Sequence, residues 1–430
     1  MPASSDQALA LVDHLFRHEA GRLVAGLTRS LGPGRLELAE DVVQEALLKA
    51  MQVWSFQPIP ENPTAWLWKV ARRGALDRLR SEGVLRQKVV PALSVEIDDE
   101  VYSPLPEERS DAELQDDQLR LVFICCHPLL DQEDQIALTL KTACGFGVGE
   151  VARALLVSEA AVAKRLVRAR QKLRQERPSF EVPAGDEKRL RLKGVLQVLY
   201  LLFNEGYNAS GGEDLIRRDL CEEAIRLVKL LVASPSSEQV PCRGLLALML
   251  FQVSRLEARL DHRGDILPLR EQDRSRWDEA LIREAMVHAA WAWQEGLYDE
   301  YAIQAAIAAC HCMATGDDDT PWSTILTLYD RLLAVDPSPV VALNRVVALS
   351  RVEGPRAGLE GLAHIPEGHR LHAYYLYYVV QADLLQQVGE EPGATRAYEQ
   401  ALELTALPTE RRFITRRLAE LAGKSSPTEK

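Results

Sequence analysis

An all-α fold in four blocks is predicted by three observations on this 430-residue sequence. Apolar side chains recur at three- and four-residue intervals, the period of a helix with one buried face, along most of the chain. Proline and glycine clusters cut that pattern into helix-length pieces. Charge is also partitioned: residues 1–92 hold 12 basic and 10 acidic side chains, residues 93–117 hold 1 and 10, and residues 118–178 hold 10 and 6. The expected parts are a small helical domain over 1–92, an acidic linker over 93–117, a second helical domain over 118–178, and a helical array over 186–424. A net charge of −12 excludes a protein that binds nucleic acid over its whole surface, and points to local basic patches instead.

The first block reads as three helices. Leu9, Leu11, Val12, Leu15, Phe16, Leu23, Val24 and Leu27 form the apolar side of 7–30, which Leu31-Gly32-Pro33-Gly34 ends. In the second helix Val42, Val43, Ala46, Leu47, Ala50 and Trp54 face inward. Asp41, Gln44 and Glu45 stay outside on its first turns, where carboxylates favour the helix dipole. Three prolines forbid a helix over 55–63. Pro63 and Thr64 then start a third helix with Trp66, Leu67, Val70, Ala71, Leu76 and Leu79 on one side. Lys69, Arg72, Arg73, Arg78 and Arg80 make its other side cationic. Cations interleaved with aromatic rings suit a phosphate backbone and unstacked bases. Trp66 reads equally as a core anchor, and Trp68 as the more exposed ring. Residues 94–117 are acidic and proline-containing, hence a linker with no core of its own.

The most informative stretch is 158–175. Ser158 stands where an N-cap belongs, after a short amphipathic helix over Gly149 to Val157. From Ala161 to Gln175 come Lys164, Arg165, Arg168, Arg170, Lys172 and Arg174 with no acidic residue. Val162, Leu166, Val167, Ala169 and Leu173 read as the packing side. An isolated surface helix normally mixes signs four residues apart; this one does not. Two helices with a tight joint and a cationic second helix are the signature of a helix-turn-helix that binds nucleic acid.

DVVQEALLKAMQVW (41–54) followed by AWLWKVARRGALDRLR (65–80) resembles region 2 of bacterial sigma factors of the extracytoplasmic-function group. The helix-turn-helix at 148–175, ending RLVRARQKLR, resembles region 4 of the same group. The resemblance implies that Asp41, Gln44 and Glu45 dock on the clamp coiled coil of core RNA polymerase. It implies that residues 55–63 and Lys69, Arg72, Arg73, Arg78 and Arg80 capture and melt the minus-ten promoter element. Lys164, Arg165, Arg168, Arg170 and Lys172 would read the minus-thirty-five element in the major groove. Many relatives have Asn before the ALDRLR-like segment where this chain has Arg73-Gly74, which bears on the details of minus-ten reading. The acidic linker would thread into the polymerase near the RNA exit path, with an inert tether as the alternative.

After Pro178 and Pro183 the chain restarts as a helical array. Tyr329 and Leu332 are echoed by Tyr398 and Ala401 at a distance of 69 residues, near two periods of the 34-residue tetratricopeptide unit. Such an array offers a concave surface to a protein or peptide. Asn204 to Asn208, within Tyr200 to Gly212, reads either as a polar ligand cluster or as a helix cap and turn. LYLLFNEGYNASGG (199–212) with the repeats resembles those extracytoplasmic-function sigma factors that carry a tetratricopeptide-like C-terminal extension, and implies control through that extension.

Seven scattered cysteines without paired CxxC spacing point to a reducing compartment. Cys125-Cys126-His127 and Cys310-His311-Cys312 read as packing rather than a metal site, as does His288. No metal and no cofactor is expected. No apolar run approaches the ~20 residues that span a bilayer, so no membrane partner and a cytoplasmic location are expected. No nucleophile triad, phosphate loop or metal-spaced carboxylate set marks an enzyme. The alternative function is a stand-alone helix-turn-helix regulator with a sensing array, which has no use for the 41–80 blocks.

Overall fold

The protein is described here by a computed structural model over residues 19–81, 111–155, 157–183, 185–208, 216–234, 239–294, 299–405 and 407–424. Residues 7–18, most of the acidic linker (93–110) and residues 209–212 lie outside these. Among the described residues the regular elements are helical, apart from one isolated bridge between Leu260 and Ile266. The chain divides into two compact units, Met1–Leu202 with Ala233–Ser236, and Phe203–Val232 with Ser237–Lys430.

The first unit starts with α1 (19–31), α2 (Leu36–Trp54) and α3 (Pro63–Ser81). Gly32 takes a φ of 82°, the left-handed turn that Leu31-Gly32-Pro33-Gly34 requires. The Asn62 side chain accepts the backbone N–H of Ala65 at 2.9 Å and so caps α3 just ahead of Pro63. The six expected apolar positions of α2 are all buried. On α3 the inward row is Ala65, Leu67, Ala71, Ala75 and Leu79. Trp54 is buried and packs on half-buried Trp66, ring centroids 5.3 Å apart; Trp68 is half-buried too.

α4 (Asp111–Cys125) begins inside the stretch expected to be linker. The reason is Asp117, which is buried and takes ion pairs from Arg29 at 3.3 Å and Arg120 at 2.9 Å. A buried carboxylate needs such partners, and they draw the end of the acidic strip into a helix. α5 (Gln132–Leu138) runs into a π-helical turn, Thr139–Ala143. α6 (Val148–Ala154) and α7 (Glu159–Glu176) form the helix-turn-helix, with Ser158 Oγ accepting the Ala161 N–H at 3.2 Å and Arg177 in a left-handed C-cap. α8 (Gly185–Tyr207) follows.

The second unit contains α9 (Arg218–Ala233, except Ala233), α10 (Gln239–Val253), α11 (Glu279–Gln294), α12 (Glu300–Met313) and α13 (Trp322–Val335). It continues with α14 (Pro339–Glu353), α15 (Pro355–Ala363), α16 (Tyr375–Gln387), α17 (Glu391–Leu404) and α18 (Pro408–Lys424). From α12 onward, neighbours in sequence pack on one another. The apolar clusters pass along the array: Ile303, Ile325 and Leu332, then Leu343, Val346 and Leu362, then Ala397, Tyr398 and Ile414. The segment between α10 and α11 reaches across to α18. Arg412 pairs with Asp265 at 2.5 Å and Arg416 with Glu271 at 3.3 Å, while Arg274 donates to the carbonyls of His311 and Ala314. A cavity of about 330 Å³ is left there, lined by Trp322, Tyr329, Asn344, Arg351 and Arg417 among others.

The polar cluster Asn204 to Asn208 ends α8 in close packing. A Cβ on Gly206 would lie 2.7 Å from the Cys221 backbone nitrogen and 2.8 Å from the Arg217 carbonyl oxygen. Tyr207 stacks on Phe203, holds the Arg259 guanidinium 3.9 Å over its ring, and accepts from Arg255 at 3.2 Å. These contacts favour the structural reading of that cluster over the ligand reading.

Candidate nucleic-acid interface

On α7 the buried face is Val162, Leu166, Ala169 and Leu173. Val167 is not part of it: the side chain is 59% exposed, which corrects its assignment to the packing side. The row of one 3.6-residue face runs 162, 166, 169, 173, and 167 lies about a quarter-turn off it. Lys164, Val167, Arg168 and Gln171 together form the solvent face of the helix.

The absence of acids between Ala161 and Gln175 does not leave the cations of α7 unpaired. Arg165 meets Glu133 at 2.5 Å. Arg168 makes a two-pronged pair with Asp134 at 2.7 and 2.5 Å, and the hydrogen bond to that buried carboxylate raises its pKa. Lys172 lies 3.4 Å from Asp131. Arg170 turns inward to Glu40 at 2.5 Å, and exposed Arg174 reaches exposed Glu37 at 2.8 Å. The sign mixing that a solvated helix achieves within itself is achieved here across helices, by α5 and α2. Lys164 is exposed, and no ion pair reaches it among the described residues. Of the five expected minus-thirty-five residues, Lys164 and Arg168 are therefore the outward ones, Arg165 and Lys172 are partly covered, and Arg170 is enclosed.

On α2 and α3, Asp41 and Glu45 are exposed, with Gln44 half-buried between them. Arg78 reaches over from α3 to pair with both, at 3.0 Å to Asp41. The expected polymerase-docking carboxylates thus hold one of the expected DNA-binding arginines. Lys69, Arg73 and Arg80 are exposed, Arg80 within 3.3 Å of Asp77, while Arg72 is half-buried. In the loop between the helices Phe56 is 84% exposed, and Leu48 on α2 is 58% exposed one turn beyond Glu45.

Sequence reasoning passed over Glu37, Glu40 and Leu48, and placed Val167 on the packing side. Glu40 carried a signal: it falls on the apolar row Leu36, Glu40, Val43, Leu47, where a carboxylate must find a buried partner. The cysteines at 125 and 126 are buried, and burial pushes the Cys126 thiol up to about 12. No group of three or more His, Cys, Asp or Glu among the described residues could hold a metal ion. No helix among them is long and apolar enough to cross a membrane.

A helix-turn-helix with an outward cationic face, beside a second helical module with exposed cations, is an arrangement suited to a DNA backbone. Residues 15–84 match Sigma-70 region 2 and residues 120–173 match Sigma-70, region 4. Residues 191–293 match a family of unknown function, DUF6596. An uncharacterized protein of Rhizobium meliloti (strain 1021) is 39% identical over 390 residues, covering 90% of this chain and 91% of its own. No solved structure matches. The chain belongs to the sigma-70 family, with the region 2 and region 4 pair of an extracytoplasmic-function-like RNA polymerase sigma factor. Core RNA polymerase and promoter DNA are the partners that this family membership entails.

Proposed function

We propose that this sigma factor directs initiation at specific promoters through the two modules just described, and that its C-terminal helices govern its output. The observation that carries the reading is the presence of both sigma regions, in order, in one chain. Asp41, Gln44 and Glu45 dock on core polymerase. Lys69, Arg72, Arg73, Arg78 and Arg80, with the 55–63 loop, hold the minus-ten element. Lys164, Arg165, Arg168, Arg170 and Lys172 hold the minus-thirty-five element. Exposure favours Lys69, Arg73, Lys164 and Arg168 for first contact. The protein acts in the cytoplasm, where polymerase and promoters are.

The array from α12 to α18 is proposed as a tetratricopeptide-like platform for a protein or peptide partner. Its helix-on-helix order and the cavity beside Trp322 and Arg351 support that reading. The test is in vitro transcription with core polymerase on a DNA library. Specific transcripts that depend on the added protein are expected, and Asp41→Ala with Glu45→Ala should weaken core binding. DNA binding without any transcript would refute the sigma reading in favour of a stand-alone regulator.

A further inference from the structure

In the second unit the cavity of about 330 Å³ is built by same-face positions of successive helices. Trp322 and Tyr329 of α13 line it together with Asn344, Val347 and Arg351 of α14, three and four residues apart, and Val380 of α16 adds to the wall. The charges around it are unevenly matched. Arg417 is fully engaged, by Asp383 at 3.0 Å, Glu420 at 2.9 Å and the Tyr398 hydroxyl at 3.2 Å, and Arg270 leans on the same Asp383 at 3.6 Å. Around Trp322 the balance is positive. The Arg351 guanidinium lies 5.1 Å over the Trp322 ring, and the His311 imidazole meets that ring edge-on with centroids 5.4 Å apart. Asp317 pairs with Arg351 at 2.9 Å. Neither Arg255 nor Arg274, the two cations nearest His311, has a carboxylate partner among the described residues. Arg274 donates to the carbonyls of His311 and Ala314, and Arg255 to the Tyr207 hydroxyl. One carboxylate thus stands among three guanidiniums. The His311 Nδ1 is also buried with no hydrogen-bond partner among the described residues.

We propose that this cavity is a binding site for a small organic monoanion, a carboxylate on a flat apolar body. The carboxylate sits at Arg351 and His311, and the body lies among Trp322, Tyr329, Val347 and Val380. The site goes beyond the peptide platform proposed above and rests neither on it nor on the sigma reading. Small-molecule sites typically measure about 300–1,000 Å³ and set a few polar groups in apolar walls. This one falls at the small end, the size of a ring system rather than of a peptide segment. Guanidiniums drawn partly out of water without counter-charges are costly, and a bound anion offsets that cost. Burial first, and then Arg255 and Arg274, keep the proton off His311; the same positive potential draws a carboxylate. Asp317 takes one arm of the Arg351 guanidinium, whose five N–H donors leave others for a second carboxylate. The neutral imidazole with its proton on Nδ1 supplies a further donor. A cationic ligand would have to displace arginines from Asp317 and Asp383. A nucleoside triphosphate carries several charges and calls for a glycine-rich loop that these helices do not provide.

The test is isothermal titration calorimetry of the full-length chain with three probes of one shape: 2-naphthoate, its neutral amide 2-naphthamide, and the cation 2-naphthylmethylammonium. The acid should bind about tenfold or more tighter than the amide, as expected of one charge-assisted contact, and the ammonium should not bind. Arg351→Gln, at an exposed position, should abolish that preference and leave the affinity for the amide within about twofold. Arg356→Gln, exposed on α15 and outside the cavity, should keep the preference. Val347→Trp should fill the cavity and abolish binding of acid and amide alike. No binding of the acid up to about 5 mM overturns the proposal, as do equal affinities for acid and amide or binding of the ammonium. An acid preference that survives Arg351→Gln overturns it too. So does a Val347→Trp variant of native melting temperature that still binds, since the acid then sits elsewhere. If Val347→Trp does not fold, Arg351→Gln decides alone. The readout needs neither polymerase nor promoter, so failure of the sigma reading would leave it standing.

Discussion

Val167 is a branched apolar side chain standing in water on a cationic helix face, between Lys164 and Arg168. An apolar group so placed suits the methyl of a thymine in the major groove. Val167→Ala should cost about 1 kcal/mol, or about fivefold, on a selected minus-thirty-five site carrying that thymine. It should leave non-specific binding unchanged; equal losses on both DNAs would refute base contact. Lys164→Gln should instead weaken all duplexes alike and lower the log-log salt slope by roughly 0.9, read by titration at several salt concentrations. In the second unit, His311 is held neutral by burial and by the nearby Arg255 and Arg274, with Asp317 opposing, so that its pKa falls to about 4. The folded ring therefore resists a proton that the unfolded ring accepts near pH 6.5. Its contribution is present above pH 6.5 and is lost as pH falls toward 4, at most about 3 kcal/mol. His311→Gln should flatten the melting temperature over that window; an unaltered acid slope would show that other groups set it.

At the scale of elements, most of the fold was legible because each helix declares its buried face by spacing. The inward rows of α2 and α7 stand at the expected positions, Val167 excepted. The pairings were not legible, because the acids that neutralise α7 lie 32 to 137 residues away in sequence. The same distance hid Arg78 against Asp41, so a docking face and a DNA face that read as separate sets share one ion-pair cluster. Close crossings were equally hidden, since a glycine in a helix looks like a weakness until its neighbour is known. α8 offers a contrast within one helix. Gly194 has open space where a Cβ would go, so Gly194→Ala should stabilise by up to about 1 kcal/mol. Gly206 sits on the backbone around Arg217 and Cys221, so Gly206→Ala should destabilise by about 1–3 kcal/mol. Thermal melting of the two variants decides it, and equal shifts would refute the close crossing.

At the scale of the molecule, the modular plan read from charge blocks places a joint after Pro178, yet the first compact unit runs on to Leu202. The physical reason is α8. Its Leu192, Val195, Leu196 and Leu199 are buried, and Arg191 donates to the Phe123 carbonyl at 2.8 Å while lying over that ring. Burial lowers the Arg191 pKa, as expected of a guanidinium drawn out of water into α4. A chain cut at 178 loses this helix. Each buried leucine or valine removed from the core forfeits about 1.5–3 kcal/mol, and together they approach the 5–15 kcal/mol that holds a typical domain folded. A fragment of residues 1–178 should therefore melt without a cooperative transition, whereas 1–208 should melt cooperatively, as followed by circular dichroism. Matching transitions in the two fragments would show that α8 is no part of the sigma core. With the expected result, any comparison of promoter output with and without the array has to cut after residue 208. A shorter fragment would report loss of the fold as though it were loss of a regulator.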